Sequence, residues 1–177
     1  MQNNLSYARI IPREVAIFLF TVKNNFWSYI AGFLDADGSI YVQLKQNSTY
    51  RYKFQIAPSV VFYQKKTEKV GLPEIQKKLD LGYIRYRNDG MVELVINDRK
   101  SIKTLLTKVR PHLILKVDQA KLMIKILSKM DKITSIKDFM SLTELVDHFR
   151  ELNYSKKRTV DSRVVGDHLR NIGLLTP

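Results

Sequence analysis

From Trp27 onward the apolar positions Trp27, Ile30, Phe33 and Leu34 recur at helical spacing. Ser28, Gly32 and Ala36, four residues apart, share a second face on which two backbones can approach closely. Gly38 stands where such a helix stops in a left-handed cap. There the period changes to two. Ile40, Val42 and Leu44 face one way, and Tyr41, Gln43, Lys45 and Asn47 face the other. Asn47-Ser48-Thr49 reads as a hairpin loop. The returning strand places Tyr52, Phe54 and Ile56 on one face and Arg51, Lys53 and Gln55 on the other. Pro58 removes a ladder donor and predicts a bulge or an edge, with Val60 to Tyr63 continuing the strand.

Thr67 to Leu79 reads as a helix whose start is disturbed by Gly71 and Pro73. Gly82 to Arg87 is a third strand with Tyr83, Arg85 and Arg87 on one face. Asn88-Asp89-Gly90 is a hairpin signal, and Val92 to Ile96 is the fourth strand. Asp98 caps a helix that runs to Val109 and ends at Pro111. Asp118 caps another, with an apolar stripe of Met123, Ile126, Leu127 and Met130. Phe139 to Leu152 is a further amphipathic helix, and Asp161 to Ile172 is the last. The order predicts an α+β fold with an antiparallel four-stranded sheet. Residues 1–25 are set apart as an N-terminal extension, helical after Pro12, and 26–177 form the single domain.

Charge narrows the partners. The 177 residues carry 30 Lys and Arg against 17 Asp and Glu, a formal charge of +13, which favours a polyanion and first of all nucleic acid. With no Cys there is no disulfide, zinc finger or thiol nucleophile, and three scattered His argue against a His-rich metal site. The apolar run Val15 to Val22 is too short to cross a membrane and lacks a following cleavage site, so neither a membrane partner nor a signal peptide is expected.

Asp35 and Asp37 lie in the last helical turn, where the macrodipole disfavours negative charge. A divalent cation would compensate, bound by the Asp37 carboxylate and the helix-end carbonyl of Ala36. The bland alternative is that Asp37 only starts a turn with Gly38. The polar strand faces suit either plain solvent or the major groove, where Gln and Asn pair with adenine and Arg and Lys with guanine. Lys156, Lys157 and Arg158 form a basic patch that either binds phosphates or is a solvated loop.

AGFLDADGSI, residues 31–40, resembles the LAGLIDADG motif of the homing endonucleases. The motif occurs once, as in the members that work as homodimers. Later landmarks are similar to those encoded by group I introns in ribosomal RNA genes, and the likeness spans Trp27 to Arg170. It implies an αββαββα fold whose sheet is saddled on double-stranded DNA. It implies a double-strand break at a long, near-palindromic intron-insertion site, made with Mg²⁺, with Mn²⁺ substituting and Ca²⁺ supporting binding without cleavage. Asp37 would be the catalytic and metal-binding acid, with the Ala36 carbonyl as co-ligand. Gln64 in VFYQKK would orient water or metal, and Lys116 in RPHLILKVDQAK would polarise the pocket. Relatives place a basic residue four positions after the Gln. Here that position is Glu68, and either Lys66 or Lys69 takes the role after a small shift or the role is absent.

The same likeness assigns DNA contacts to Gln43, Lys45, Asn47, Tyr50, Arg51, Gln55, Arg85, Arg87 and Glu93, and backbone contacts to Lys156, Lys157 and Arg158. Ala57 and Val61 fall at reading positions and would meet thymine methyl groups. Ser28, Gly32 and Ala36 would form the dimer interface, bringing two Asp37 residues to a two-fold axis. The alternatives are an RNA-binding maturase for a group I intron and a DNA-binding regulator without cleavage. The expected compartment is a chloroplast, a mitochondrion or a prokaryotic cytoplasm.

Overall fold

The computed structural model describes residues 13–67, 71–153 and 160–175, and for 13–24 and 150 the backbone alone. Helix α1 (Arg13–Asp37) runs without a break into strand β1 (Gly38–Gln46). The boundary drawn at residue 25 thus falls inside one continuous helix. No helix among the described residues is long and apolar enough to cross a membrane. β2 (Phe54–Lys65), α2 (Leu72–Leu79), β3 (Tyr83–Tyr86) and β4 (Met91–Ile96) follow. Then come α3 (Arg99–Val109), a 3₁₀ turn at Arg110–His112, α4 (Val117–Met130), α5 (Ile136–Asp147), α6 (Phe149–Leu152) and α7 (Ser162–Asn171).

The four strands form one antiparallel sheet in the order β1-β2-β4-β3. The alternation read from the sequence sets its two faces. Ile40, Val42, Leu44, Phe54, Ile56, Val60, Phe62, Leu94 and Ile96 are buried on one side. They form one core with Ile30 and Leu34 of α1, Ile102, Leu105 and Leu106 of α3, and Met123, Ile126 and Leu127 of α4. The helices therefore cover this face, and the opposite face carries the polar positions.

Pro58 makes no bulge. The register passes through it, with Val42 opposite Pro58 and Gln43 opposite Ala57. The Asn47 N–H donates to the Lys53 carbonyl at 2.8 Å, which fixes the hydrogen-bonding phase of the ladder. Odd-numbered β2 residues bond to β1, and even-numbered ones turn toward β4. β4 reaches only to the pair Val60–Ile96. Pro58 occupies an outward position beyond that end, where its missing N–H costs no ladder bond.

Several boundaries move. The β1–β2 loop is longer than the Asn47-Ser48-Thr49 signal, because Arg51 to Lys53 belong to it and Lys53 adopts φ 60. Tyr52 is nonetheless buried, its ring stacked on Phe139 at 4.8 Å. α2 starts at Leu72 rather than Thr67, with Pro73 in its first turn. α4 is preceded by Lys116 with no side-chain cap. Asp118 lies inside its first turn and pairs with Lys121, so it is not the cap. The span from Phe139 to Leu152 is two helices, α5 and α6, separated at His148. Asp98 and Asp161 do cap α3 and α7, accepting from the N–H groups of Ser101 and Val164.

α5 begins at Ile136 because Ser135 and Asp138 form a reciprocal capping box. Hydrogen bonds from Ser135, and then from Thr134, hold the Asp138 carboxyl down at about 2, from an ordinary 3.8. A depressed folded-state value stabilises the fold above the unfolded value, and the contribution is lost as pH falls through about 2. Denaturation of the protein and of Asp138→Asn should therefore differ most near neutral pH. The difference should shrink steadily below pH 4 and vanish as pH falls through about 2.

Candidate functional site

The two acids of the D-A-D segment have opposite fates. Asp35 is buried, 9% exposed, and its carboxylate accepts three consecutive backbone N–H groups. Ile114 and Leu115 donate to Oδ2 at 2.6 and 3.1 Å, and Lys116 donates to Oδ1 at 2.9 Å. The Lys116 ammonium returns to the Asp35 carbonyl at 2.5 Å. A cation thus sits at the negative end of α1, satisfying one of its orphan carbonyls. Asp37, two residues on, is exposed and has no hydrogen-bond or ion-pair partner among the described residues. The Ala36 carbonyl lies at the same helix end.

The residues present fit a divalent cation in a particular way. No group of three or more His, Asp or Glu that could hold a metal occurs among the described residues. One unpartnered carboxylate at the negative end of a 25-residue helix therefore attracts a cation without saturating it. The remaining ligands must come from outside the chain, and oxygen donors such as phosphate suit Mg²⁺.

Gln64 lies two positions beyond Phe62, which pairs with Gly38, the residue after Asp37. Its Oε1 accepts the Leu72 N–H at 3.0 Å, replacing the cap that Gly71 cannot provide. A Cβ on Gly71 would lie 1.8 Å from that oxygen. The oxygen is therefore committed to α2, and the amide NH₂ remains for other work. Lys66 is an exposed turn residue. Glu68, Lys69 and the Lys156-Lys157-Arg158 patch lie outside the described residues.

On the open sheet face Gln43 and Lys45 are exposed, and Gln55 stands opposite Lys45. Tyr50 and Arg51 are exposed on the hairpin loop, Arg51 lying 5.2 Å above the Tyr52 ring. The Asn47 Oδ1 accepts from the Thr49 N–H and hydroxyl at 3.1 and 2.7 Å, so it shapes the loop and leaves its NH₂ outward. Glu93 departs from its expected place among the DNA contacts. It is 1% exposed, and both its oxygens are taken. Arg85 donates through Nε to Oε2 at 2.6 Å, and Arg87 Nη1 donates to Oε1 at 2.9 Å. These bonds to Glu93 raise both guanidinium pKa values above their ordinary value. Glu93 therefore orients two arginines, each about half exposed, instead of meeting a base itself. Val61 is also corrected, because at 1% exposure it cannot touch a thymine methyl as it stands.

Ser28, Gly32 and Ala36 are all exposed, and a Cβ added to Gly32 would meet nothing within 4 Å. Ser28 Oγ and His112 Nδ1 share a hydrogen bond at 3.1 Å. The segment 112–116 thus runs beside α1 from the level of Ser28 to that of Asp35. It displays Ile114 at 84% and Leu115 at 71% exposure next to the small-residue face and to Tyr29 at 60%. The sequence reading missed this apolar pair, whose outward display follows from the Asp35 anchor.

A family model described as LAGLIDADG endonuclease matches residues 30–115. The DNA endonuclease I-CvuI of Chlorella vulgaris is 36% identical over 147 residues, 83% of this chain and 91% of its own length. The chain belongs to the LAGLIDADG homing endonuclease family. The DNA endonuclease I-CreI of Chlamydomonas reinhardtii is 33% identical over 144 residues, 81% of this chain and 88% of its own. The crystal structure of I-CvuI with the I-CreI target in 2 mM Mg, its DNA not cleaved, superposes with a TM-score of 0.83 at 34% identity. That match covers 88% of this chain and 99% of the other. The archaeal intron-encoded I-Vdi141I, complexed with DNA, shares the fold at 20% identity and a TM-score of 0.75, with the same coverage.

The LAGLIDADG helix thus ends in one structural and one free acid, and stability measurements separate them. Asp35→Ala leaves three N–H groups without their acceptor and should cost about 2–4 kcal/mol in denaturant unfolding. Asp37→Asn removes an unfavourable charge from the helix end and should leave stability unchanged or raise it by about 0.3–1 kcal/mol.

Proposed function

We propose that this LAGLIDADG protein is a site-specific DNA endonuclease that acts as a homodimer and cuts both strands with Mg²⁺. The observation that carries the reading is Asp37, exposed and unpartnered at the end of the motif helix while its neighbour Asp35 is fully engaged. When bound, a divalent ion neutralises charge at the scissile phosphate and lowers the pKa of a water nucleophile. Asp37 supplies the carboxylate and Ala36 the carbonyl that would hold it. Lys116 contributes positive charge at the same helix end. Gln64 offers its NH₂ to a water or phosphate oxygen, its own oxygen being held by Leu72. The use of a divalent ion is in keeping with I-CvuI, which has been crystallised with DNA in 2 mM Mg and in 2 mM Ca.

One carboxylate per chain and two strands to cut require two chains. The face of Ser28, Gly32 and Ala36, widened by Ile114 and Leu115, suits a second copy, because small residues let the two LAGLIDADG helices approach closely. A two-fold dimer reads a near-palindrome. β1 starts immediately after Asp37 and runs for 9 residues. At ~3.3 Å per residue it spans about 30 Å. At 3.4 Å per base step that is about nine base pairs per half-site. Gln43, Lys45 and Gln55 read the outer part of that length, and Arg85 and Arg87, braced by Glu93, present guanidinium forks suited to guanine.

Two outcomes are expected. In a near-palindromic library the protein should cut one family of long sites in Mg²⁺ and bind it uncut in Ca²⁺. Asp37→Asn should bind with similar affinity and cleave at least ~10³-fold more slowly, in line with the loss of metal chemistry. Enrichment without cutting would make it a regulator, and selection of structured intron RNA over DNA would make it a maturase. Gly32→Leu, whose Cβ meets nothing within 4 Å in the monomer, should keep the fold yet sediment as a monomer and lose double-strand cleavage.

A further inference from the structure

Val61 raises a question that the reading of DNA by Gln, Lys and Arg does not answer. By register it lies on the open sheet face, opposite Ser39 on one side and Val95 on the other. Yet Val61 is 1% exposed, Val95 5% and Ser59 6%, although the described helices α1, α3 and α4 pack on the opposite face. Something on the open face covers them. Side chains on one sheet face touch their direct partners and their diagonal neighbours. Around Val61 these are Ser39, Ser59, Val95, Tyr41, Tyr63 and Glu93, with Asp37 and Asn97 at the two ladder ends, and Glu93 is tied down by its two arginines. Among these described neighbours Tyr41 and Tyr63 are the two large side chains without a hydrogen-bond partner, both are half-buried, and they lie close enough to each other to interact.

Their place along the sheet is specific. Extending the ladder one step past the pair Gly38–Phe62 brings Tyr63 level with Asp37. The same row continues through Glu93 to Arg85. Tyr41 follows Asp37 by four residues. The two phenols are therefore the part of the reading face nearest the cut, inside the reach of Gln43, Lys45 and Gln55. Burial, and then Tyr41 and Glu93 nearby, raise the Tyr63 pKa above its ordinary 10, so its hydroxyl stays a neutral donor at neutral pH. A phenol hydroxyl serves a purine N7, a guanine O6 or a thymine O4 equally as donor, and its ring excludes water from the pair it touches.

We infer that Tyr41 and Tyr63 are specificity-determining residues that read, through their hydroxyls, the innermost base pairs of each half-site, beside the scissile phosphates. The inference rests on the endonuclease reading above. It replaces apolar contact by Val61 with donor contact by the tyrosines beside it.

Sequencing of the sites cut in Mg²⁺ and bound in Ca²⁺, from a randomised near-palindromic library, tests it with wild type, Tyr41→Phe and Tyr63→Phe side by side. Phenylalanine keeps the ring and removes only the hydroxyl, so folding is preserved. Each Phe variant should lose about 10-fold of discrimination at one or two inner positions, the scale of one base pair's readout. Preferences at the outer positions should stay as in wild type, which also serves as the check on folding. Should wild type show inner preferences that both variants retain, the inference is overturned and the endonuclease reading stands. Should wild type cut its sites with no inner preference at all, it is overturned as well. A wild type that selects and cuts no DNA sinks the underlying reading, and the inference with it.

Discussion

The grip of one carboxylate on three consecutive amides organises this molecule. Asp35 takes the N–H groups of Ile114, Leu115 and Lys116, and Lys116 closes the loop by donating to the Asp35 carbonyl. Residues almost eighty apart in sequence are thereby fixed at one helix end. The consequences are spatial. Lys116 is delivered beside Asp37, and Ile114 and Leu115 have nowhere to turn but outward. A buried ionised carboxylate is tolerable only when its oxygens are satisfied, and three charge-assisted bonds satisfy this one. A helix end that local electrostatics disfavours becomes a junction between the motif helix and the connection from α3 to α4.

The division of labour inside D-A-D explains why the sequence could single out this helix end but not apportion its two acids. Asp35 and Asp37 lie two residues apart, in the same turn and on the same rule-breaking helix end. Nothing local distinguishes the acid that anchors from the acid that is free. The distinction is made by segment 114–116, whose approach depends on the whole path through β4 and α3. Gln64 is a similar case. Its position was legible from the motif, but its oxygen's commitment to Leu72 depends on how α2 begins, and that start was misplaced by five residues.

The strand faces were legible for a different reason. A two-residue period with one buried face leaves little freedom, since a slip of one residue would expose the entire core set. Ile40, Val42, Leu44 and Phe54, Ile56 therefore announced the sheet, and Pro58 told truly of an edge. Helix caps with local geometry, at Asp98 and Asp161, were equally readable. Burial within the polar face was not. Glu93 and Val61 carry the right parity, yet both are buried, Glu93 beneath Arg85 and Arg87. Parity is a property of one strand, and exposure on an open face is a property of the neighbours across it.

That difference bears on how such a surface can change. On the open face Arg85 and Arg87 are held from beneath by the buried Glu93. Altering an outward side chain there changes what DNA meets without disturbing the ladder or the core on the other side. The Asp35 junction, by contrast, couples helix packing, the display of Ile114 and Leu115, and the position of Lys116. A change there moves stability and, on the proposed reading, assembly and chemistry with it. The constraint on the active centre is thus concentrated at one end of the sheet, while the reading surface is built from replaceable parts that end abruptly at Asp37. A protein that must keep its cut while its target drifts needs that separation, and in this chain it falls between the residues of the first row, Asp37 and Tyr63.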